Sequence, residues 1–137
     1  MNWTLEVVSV PVSDVDRAKA FYADQLGFVV DHDTKGSAGM RFVQLTPRGS
    51  GCSVVLSNRP VGMEPGSLKG VQLVVNDVKA ARAELASRGV DVSEVMVHAR
   101  EGQRPMREGD DLNNVGICYF DDPDGNSWAI QQITARD

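Results

Sequence analysis

Cysteines, basic clusters and long apolar runs are what this sequence has least of. Its two cysteines, Cys52 and Cys118, form no Cys-x-x-Cys motif and sit in separate strand-like runs. Without a secretory leader they read as reduced core residues rather than a disulfide. No run of Lys and Arg alternates with aromatics, and the net charge is −5, so nucleic acid is not an expected partner. The longest apolar runs are strand-length, so no membrane span is expected. The opening MNWTLEVV lacks the basic region and apolar core of a signal peptide, and a cytoplasmic location is expected. No Gly-rich phosphate loop follows a strand, and no Gly-x-Ser-x-Gly elbow occurs. These absences leave a chain of 137 residues with the composition of an ordinary soluble protein. It has room for one domain, or for two small repeats sharing a core.

What is present is a repeated unit. Val7 to Phe28, VVSVPVSDVDRAKAFYADQLGF, has a counterpart in Gly70 to Val90, GVQLVVNDVKAARAELASRGV. Asp14 corresponds to Asp77 and Ala18 to Ala81, an offset of 63 residues, and Gly27 to Gly89 with one residue lost. Each copy runs from an apolar strand through Ser or Asn and Asp-Val into a helix closed by Gly, which points to a tandem duplication.

Strands are expected at Trp3 to Val12, Phe28 to His32, Met40 to Leu45 and Cys52 to Ser57, from alternation and flanking turns. A helix capped by Ser13 carries Val15, Ala18, Tyr22 and Leu26 on one stripe. Arg59 to Lys69, rich in Pro and Gly, reads as a linker. Beyond it come a strand at Val71 to Val75, a helix capped by Asn76, and strands at Val90 to His98, Val115 to Phe120 and Ser127 to Ile133. DPDGN, Asp122 to Asn126, is a turn in which Pro fixes φ and Gly supplies φ > 0. Each half is thus β-α-β-β-β. The domain is expected to comprise a module over about 1–58, a linker over 59–69 and a module over about 70–134.

VPVSDVDRAKAFYADQLGF, NDVKAARAELASRGV and YFDDPDGNSWAIQQ resemble the vicinal oxygen chelate superfamily. Its members include glyoxalase I, bleomycin-resistance proteins and extradiol dioxygenases. The resemblance covers nearly the whole chain and implies an α+β fold. Two tandem βαβββ modules would form an open curved mixed sheet around a cavity, in a homodimer. Metal-dependent members carry His or Glu on the first and last strands of each module. The matching positions here are Val7, Gly70 and Ala129, and the strand Cys52 to Ser57 has no His, Asp or Glu in any register. The expectation is a site with no metal and no cofactor.

Strand alternation proposes what lines the cavity instead. Ser9, Gln72, Val74, Ser127 and Gln131 are in phase with the empty ligand positions. Phe42 and Gln44 share a face of their strand, and Gly116, Cys118 and Phe120 share another. The candidate ligand-binding residues are therefore Ser9, Phe42, Gln44, Gln72, His98, Cys118 and Gln131. Uncharged amides and hydroxyls on an apolar wall suit a neutral or aromatic small molecule. His98 is the candidate acid/base, because it opens the long polar stretch Ala99 to Asn114, read as a lid over the cavity mouth. The reading is a metal-free binding protein for an antibiotic or an aromatic or polar metabolite. The alternatives are a glyoxalase-like lyase or isomerase, a metal-independent enzyme using His98, and a regulatory or structural dimer with a vestigial cavity.

Overall fold

Three valines in five residues favour an extended chain, and the first strand, β1 (Val7–Pro11), runs from an exposed Val7 to a buried Val10 and Pro11. In the computed structural model, which describes residues 1–59 and 61–135, it opens the first of two units. Pro60, within the expected linker, lies outside the described residues, as do Arg136 and Asp137. The first unit comprises Met1–Leu68 with Asp122–Asn126, and the second Lys69–Asp121 with Ser127–Asp137.

In the first unit α1 (Val15–Ala20) is followed by β2 (Val29–Lys35), β3 (Arg41–Thr46) and β4 (Ser53–Ser57). The sheet order is β1-β4-β3-β2, with β1 parallel to β4 and the other pairs antiparallel. Helix α1 covers one face. Val15, Ala18 and Tyr22 are buried, as are Val10, Val43, Leu45, Val54 and Leu56 of the strands. Complete burial of each such aliphatic side chain contributes about 2 kcal/mol before chain entropy is counted. After Ala20 the helix widens into a single π-type turn, Phe21–Gln25. That turn admits both Phe21 and Tyr22 to the core, their rings edge-to-face at 5.2 Å. Gly27, at φ 77°, ends it in the left-handed region, as a helix-terminating glycine does.

The helix caps differ from expectation by one residue. Asp14, not Ser13, accepts from the Arg17 N–H at 3.0 Å. Ser13 is drawn away, its Oγ donating to Asp124 at 2.6 Å. Likewise Asp77, not Asn76, accepts from the Ala80 N–H at 3.0 Å. A carboxylate at the last non-helical residue reaches the third helical N–H and adds a favourable charge at the positive end.

The Asp122–Asn126 turn belongs to the first unit and is more than a reversal. Tyr22 Oη donates to the buried Asp122 carboxylate at 2.7 Å. Asn126, fully buried, donates through Nδ2 to the Pro11 carbonyl and to Asp122, both at 2.8 Å, and accepts from the Leu68 N–H at 3.0 Å. Gly66, at φ 83°, passes so close to the Asp124 carbonyl that a β-carbon would overlap it.

The second unit contains β5 (Val71–Val75), α2 (Val78–Ser87), β6 (Met96–Ala99), β7 (Gly102–Pro105), β8 (Gly116–Asp121) and β9 (Ser127–Gln132), in the order β5-β9-β8-β6-β7. Val78 and Leu85 of α2 are buried with Cys118, Phe120, Trp128 and Ile130, and the Phe120 and Trp128 rings stack at 6.0 Å. The expected strand Val90 to His98 is shorter, with only an isolated bridge from Val92 to Phe120 before β6. The stretch read as a lid instead begins with β7, paired antiparallel to β6 from Met96–Pro105 to Ala99–Gly102.

The architecture is α+β, as expected, in the form of two open mixed sheets of four and five strands, neither closed into a barrel. Among the described residues no helix is long and apolar enough to cross a membrane.

Candidate functional site

Each sheet has one face packed on its helix and one turned away from it. In the first sheet, register aligns Ser9 with Val55, Val55 with Gln44, and Gln44 with His32. One step along, Pro11 aligns with Ser57, Ser57 with Phe42, and Phe42 with Thr34. Ser9, Gln44 and Phe42 therefore share the face opposite α1, with Phe42 37% exposed. The alternate residues, Val10, Leu56 and Val43, are the buried ones. This face is hydrocarbon with the rings of Phe42 and His32, crossed by a row of hydroxyls and an amide.

In the second sheet the corresponding face carries Gln72 and Val74 on β5, Ala129 and Gln131 on β9, Ile117 and Tyr119 on β8, and His98 on β6. The amides are held in order. Gln72 Nε2 donates to Gln131 Oε1, and Gln131 Nε2 donates to the Asn114 carbonyl at 2.7 Å. Gln72 thereby keeps its own carbonyl oxygen for another donor. Across the sheet, Gln103 Nε2 lies 2.8 Å from His98 Nε2 and also donates to the Tyr119 hydroxyl. Beside Tyr119 runs a groove of about 440 Å³, lined further by Asp91, Ser93, Phe120 and Asp121.

Cys118 is not part of this face. The antiparallel register sets Ile117 opposite Gln131 and Tyr119 opposite Ala129, which turns Cys118, opposite Ile130, toward α2. It is 0% exposed, and burial pushes its thiol up to about 11. The expectation that Gly116, Cys118 and Phe120 line the ligand face is thus corrected, and Ile117 and Tyr119 take their place. Gln103 and Tyr119 are the residues that sequence reasoning missed.

The residues present do not fit a divalent metal. The strands that carry ligands in metal-dependent relatives offer Val7 and Ser9 on β1, Ser53, Val55 and Ser57 on β4, Gln72 and Val74 on β5, and Ser127, Ala129 and Gln131 on β9. Amides, hydroxyls and hydrocarbon replace the imidazoles and carboxylates that such an ion requires. Among the described residues, no three His, Cys, Asp or Glu side chains are grouped to hold a metal.

A second cleft, of about 580 Å³, lies where α1 begins, lined by Asp14, Asp16, Lys35, Met40, Arg41 and Asn58. Its arginine is already matched. Arg41 pairs with Asp16 and with Asp33, which also binds Lys19. Hydrogen bonds from Arg41 and then Lys19 hold the Asp33 carboxyl well below the usual carboxylate range. Asn58 accepts from the Arg41 N–H at 3.0 Å and donates to the Gly39 carbonyl at 2.9 Å. This cluster ties the β2–β3 hairpin to α1 and leaves little for a ligand to satisfy.

Comparison with known proteins agrees with the fold. A crystal structure of TnmS3, an antibiotic binding protein from Streptomyces sp. CB03234, is 35% identical with a TM-score of 0.74, covering 96% of this chain and 97% of that one. A glyoxalase/bleomycin resistance protein from the same strain is 36% identical with a TM-score of 0.71, covering 94% of this chain and 100% of its own. A superfamily member from Sphaerobacter thermophilus DSM 20745 is 28% identical with a TM-score of 0.73, covering 96% and 98%. No curated protein matches the chain. The family model described as Glyoxalase/Bleomycin resistance protein/Dioxygenase superfamily matches residues 4–130, and the chain belongs to that superfamily.

Proposed function

We propose that this chain is a metal-free small-molecule binding protein that takes up an antibiotic, or a related aromatic or polar metabolite, on the helix-free faces of its sheets. The observation that carries the proposal is the second sheet's face. There Gln72 and Gln131, oriented through the Asn114 carbonyl, border the apolar Val74, Ala129 and Ile117. A few directed hydrogen bonds on an apolar wall are what a neutral organic ligand needs. The likeness to TnmS3, described as antibiotic binding, supports the same reading.

The proposal includes a homodimer. Trp3, Leu5 and Val7 alternate along the N-terminal segment and are 88%, 77% and 43% exposed in one chain. Such an apolar strip is costly to leave in water, and a second copy of this chain is the occupant proposed for it.

Amide spectra recorded with a panel of antibiotics and aromatic metabolites test the function. The expected shifts centre on Ser9, Phe42, Gln44, Gln72 and Gln131. Shifts centred on the Arg41 cleft would contradict the assignment, and turnover of a panel compound would contradict a purely binding role.

A further inference from the structure

We infer that His98, Gln103 and Tyr119 form a hydrogen-bond relay that makes the Tyr119 hydroxyl the donor for a neutral, carbonyl-bearing aromatic ligand, and that protonation of His98 withdraws this donor. The inference rests on the ligand-binding reading of the same face and adds the chemical class of ligand and a pH dependence.

The Gln103 amide sets the direction of both hydrogen bonds. Its Nε2 can only donate, through two N–H bonds. One is directed at His98 Nε2, 2.8 Å away, so that ring nitrogen must accept and the imidazole proton must lie on Nδ1. The other goes to Tyr119 Oη, which therefore accepts. The Tyr119 O–H proton is then free to turn away, and the hydroxyl has no second hydrogen-bond partner among the described residues. Tyr119 as a residue is 36% exposed and lines the groove of about 440 Å³. A group on that face with an acceptor oxygen would meet an oriented donor and, beside it, the Tyr119 ring.

The surroundings narrow the acceptor. Asp91 and Asp121 line the groove next to Tyr119, and the chain as a whole carries −5. Carboxylates and phosphates are disfavoured there by like-charge repulsion, which leaves neutral acceptors such as ketones, esters and amides.

Histidine changes charge between about pH 5 and 8. Once protonated, His98 Nε2 donates, and the Gln103 amide must turn over to present Oε1. That oxygen then sits where it accepts from Tyr119 as well, and the phenolic proton is drawn inward. The other charged groups near His98 are few. Arg100 and Glu101 form the turn into β7, and Arg104, in the alternate phase, is held by Asp110 at 2.9 and 3.0 Å. From β8, Tyr119 and Asp121 are the titratable side chains on the same face.

Nitrogen-15 and proton spectra of the whole chain, taken from about pH 8 to about pH 5, test the relay without any ligand. The expected result is a His98 Nδ1–H tautomer at the alkaline end, with Gln103 side-chain amide signals moving at the same midpoint as the His98 ring. Tyr119→Phe should alter those amide signals while leaving the backbone spectrum in place. An Nε2–H tautomer at the alkaline end, or Gln103 signals indifferent to the His98 midpoint, overturns the relay. Two matched probes test the ligand class, 4-chromanone with its carbonyl and chroman without it. At the alkaline end chromanone should bind wild type roughly five-fold more tightly than it binds Tyr119→Phe, with chroman unaffected. That difference should vanish in acid. Equal behaviour of the two probes overturns the donor assignment. Failure of both to bind anywhere counts against this face as a ligand site, and the ligand-free titration then judges the relay separately.

Discussion

Replacing Asn126 by Ala should be among the most damaging single changes outside the hydrophobic core. The side chain is fully buried and makes three hydrogen bonds, to the Pro11 carbonyl, the Asp122 carboxylate and the Leu68 N–H. Alanine deletes all three and admits no protein partner in exchange. The Pro11 carbonyl and Leu68 N–H are left unpaired, at about 1.5 kcal/mol each. Asp122 keeps Tyr22 Oη and the Asp124 and Asn126 N–H groups, so its loss is smaller, about 1 kcal/mol. The sum is about 4 kcal/mol. For a chain of 137 residues, at roughly 3 °C per kcal/mol, Tm should fall by about 12 °C. Tyr22→Phe removes a single donor from the same carboxylate, which keeps three N–H donors. It should cost about 1.5 kcal/mol, or roughly 5 °C. Calorimetry of the two variants measures both the size and the order of the effects. An Asn126→Ala protein melting within about 3 °C of wild type, or one more stable than Tyr22→Phe, would refute the claim that this turn is a buried polar network.

Gly116→Ala should destabilise by about 2 kcal/mol in a denaturant titration. A β-carbon there would stand 2.8 Å from Leu112 Cβ, 3.0 Å from the Leu112 carbonyl oxygen and 3.2 Å from Val78 Cγ1. The segment after β7 should loosen in acid. Hydrogen bonds from Arg104 and from the Arg107 N–H lower the Asp110 carboxyl from 3.8 to about 2, so their stabilisation is complete above the unfolded value and lost as pH falls through the folded one. Hydrogen exchange at the Arg107 amide should accelerate between about pH 4 and pH 2, and Asp110→Asn should remove that pH dependence. Thiol labelling near neutral pH should modify Cys52 in the folded protein and spare Cys118, which is 0% exposed and has its thiol pushed up to about 11. Rapid labelling of both thiols under native conditions would contradict that placement.

The strands and helices were legible where periodicity and turn chemistry agreed. The run Val71 to Val75 alternates only weakly, yet Asn76-Asp77 and Gly89 bracket its helix and fix the unit. β7 was not legible. Gly102, Gln103, Arg104 and Pro105 show no apolar alternation, because an edge strand this exposed needs only one partner's backbone, and Pro is tolerated there. The error over Cys118 had a remedy in the sequence itself. The turn Asp122–Asn126 closes the pair Asp121 and Ser127. Counting outward in equal steps sets Tyr119 against Ala129 and Ile117 against Gln131, and hence Cys118 on the other face. The relay through Gln103 could not have been found that way, since it depends on a strand with no sequence signature. The caps went astray for a tertiary reason: Ser13 is claimed by Asp124, 111 residues away in the chain.

Native mass spectrometry of the protein as purified, compared with its denatured mass, tests the central claim most directly. A dimer without stoichiometric metal, carrying either no adduct or an organic one, is the predicted result. A subunit that retains one zinc, nickel, manganese or iron ion would contradict the metal-free reading of the two helix-free sheet faces, the one carrying Ser9 and Gln44 and the one carrying Gln72 and Gln131.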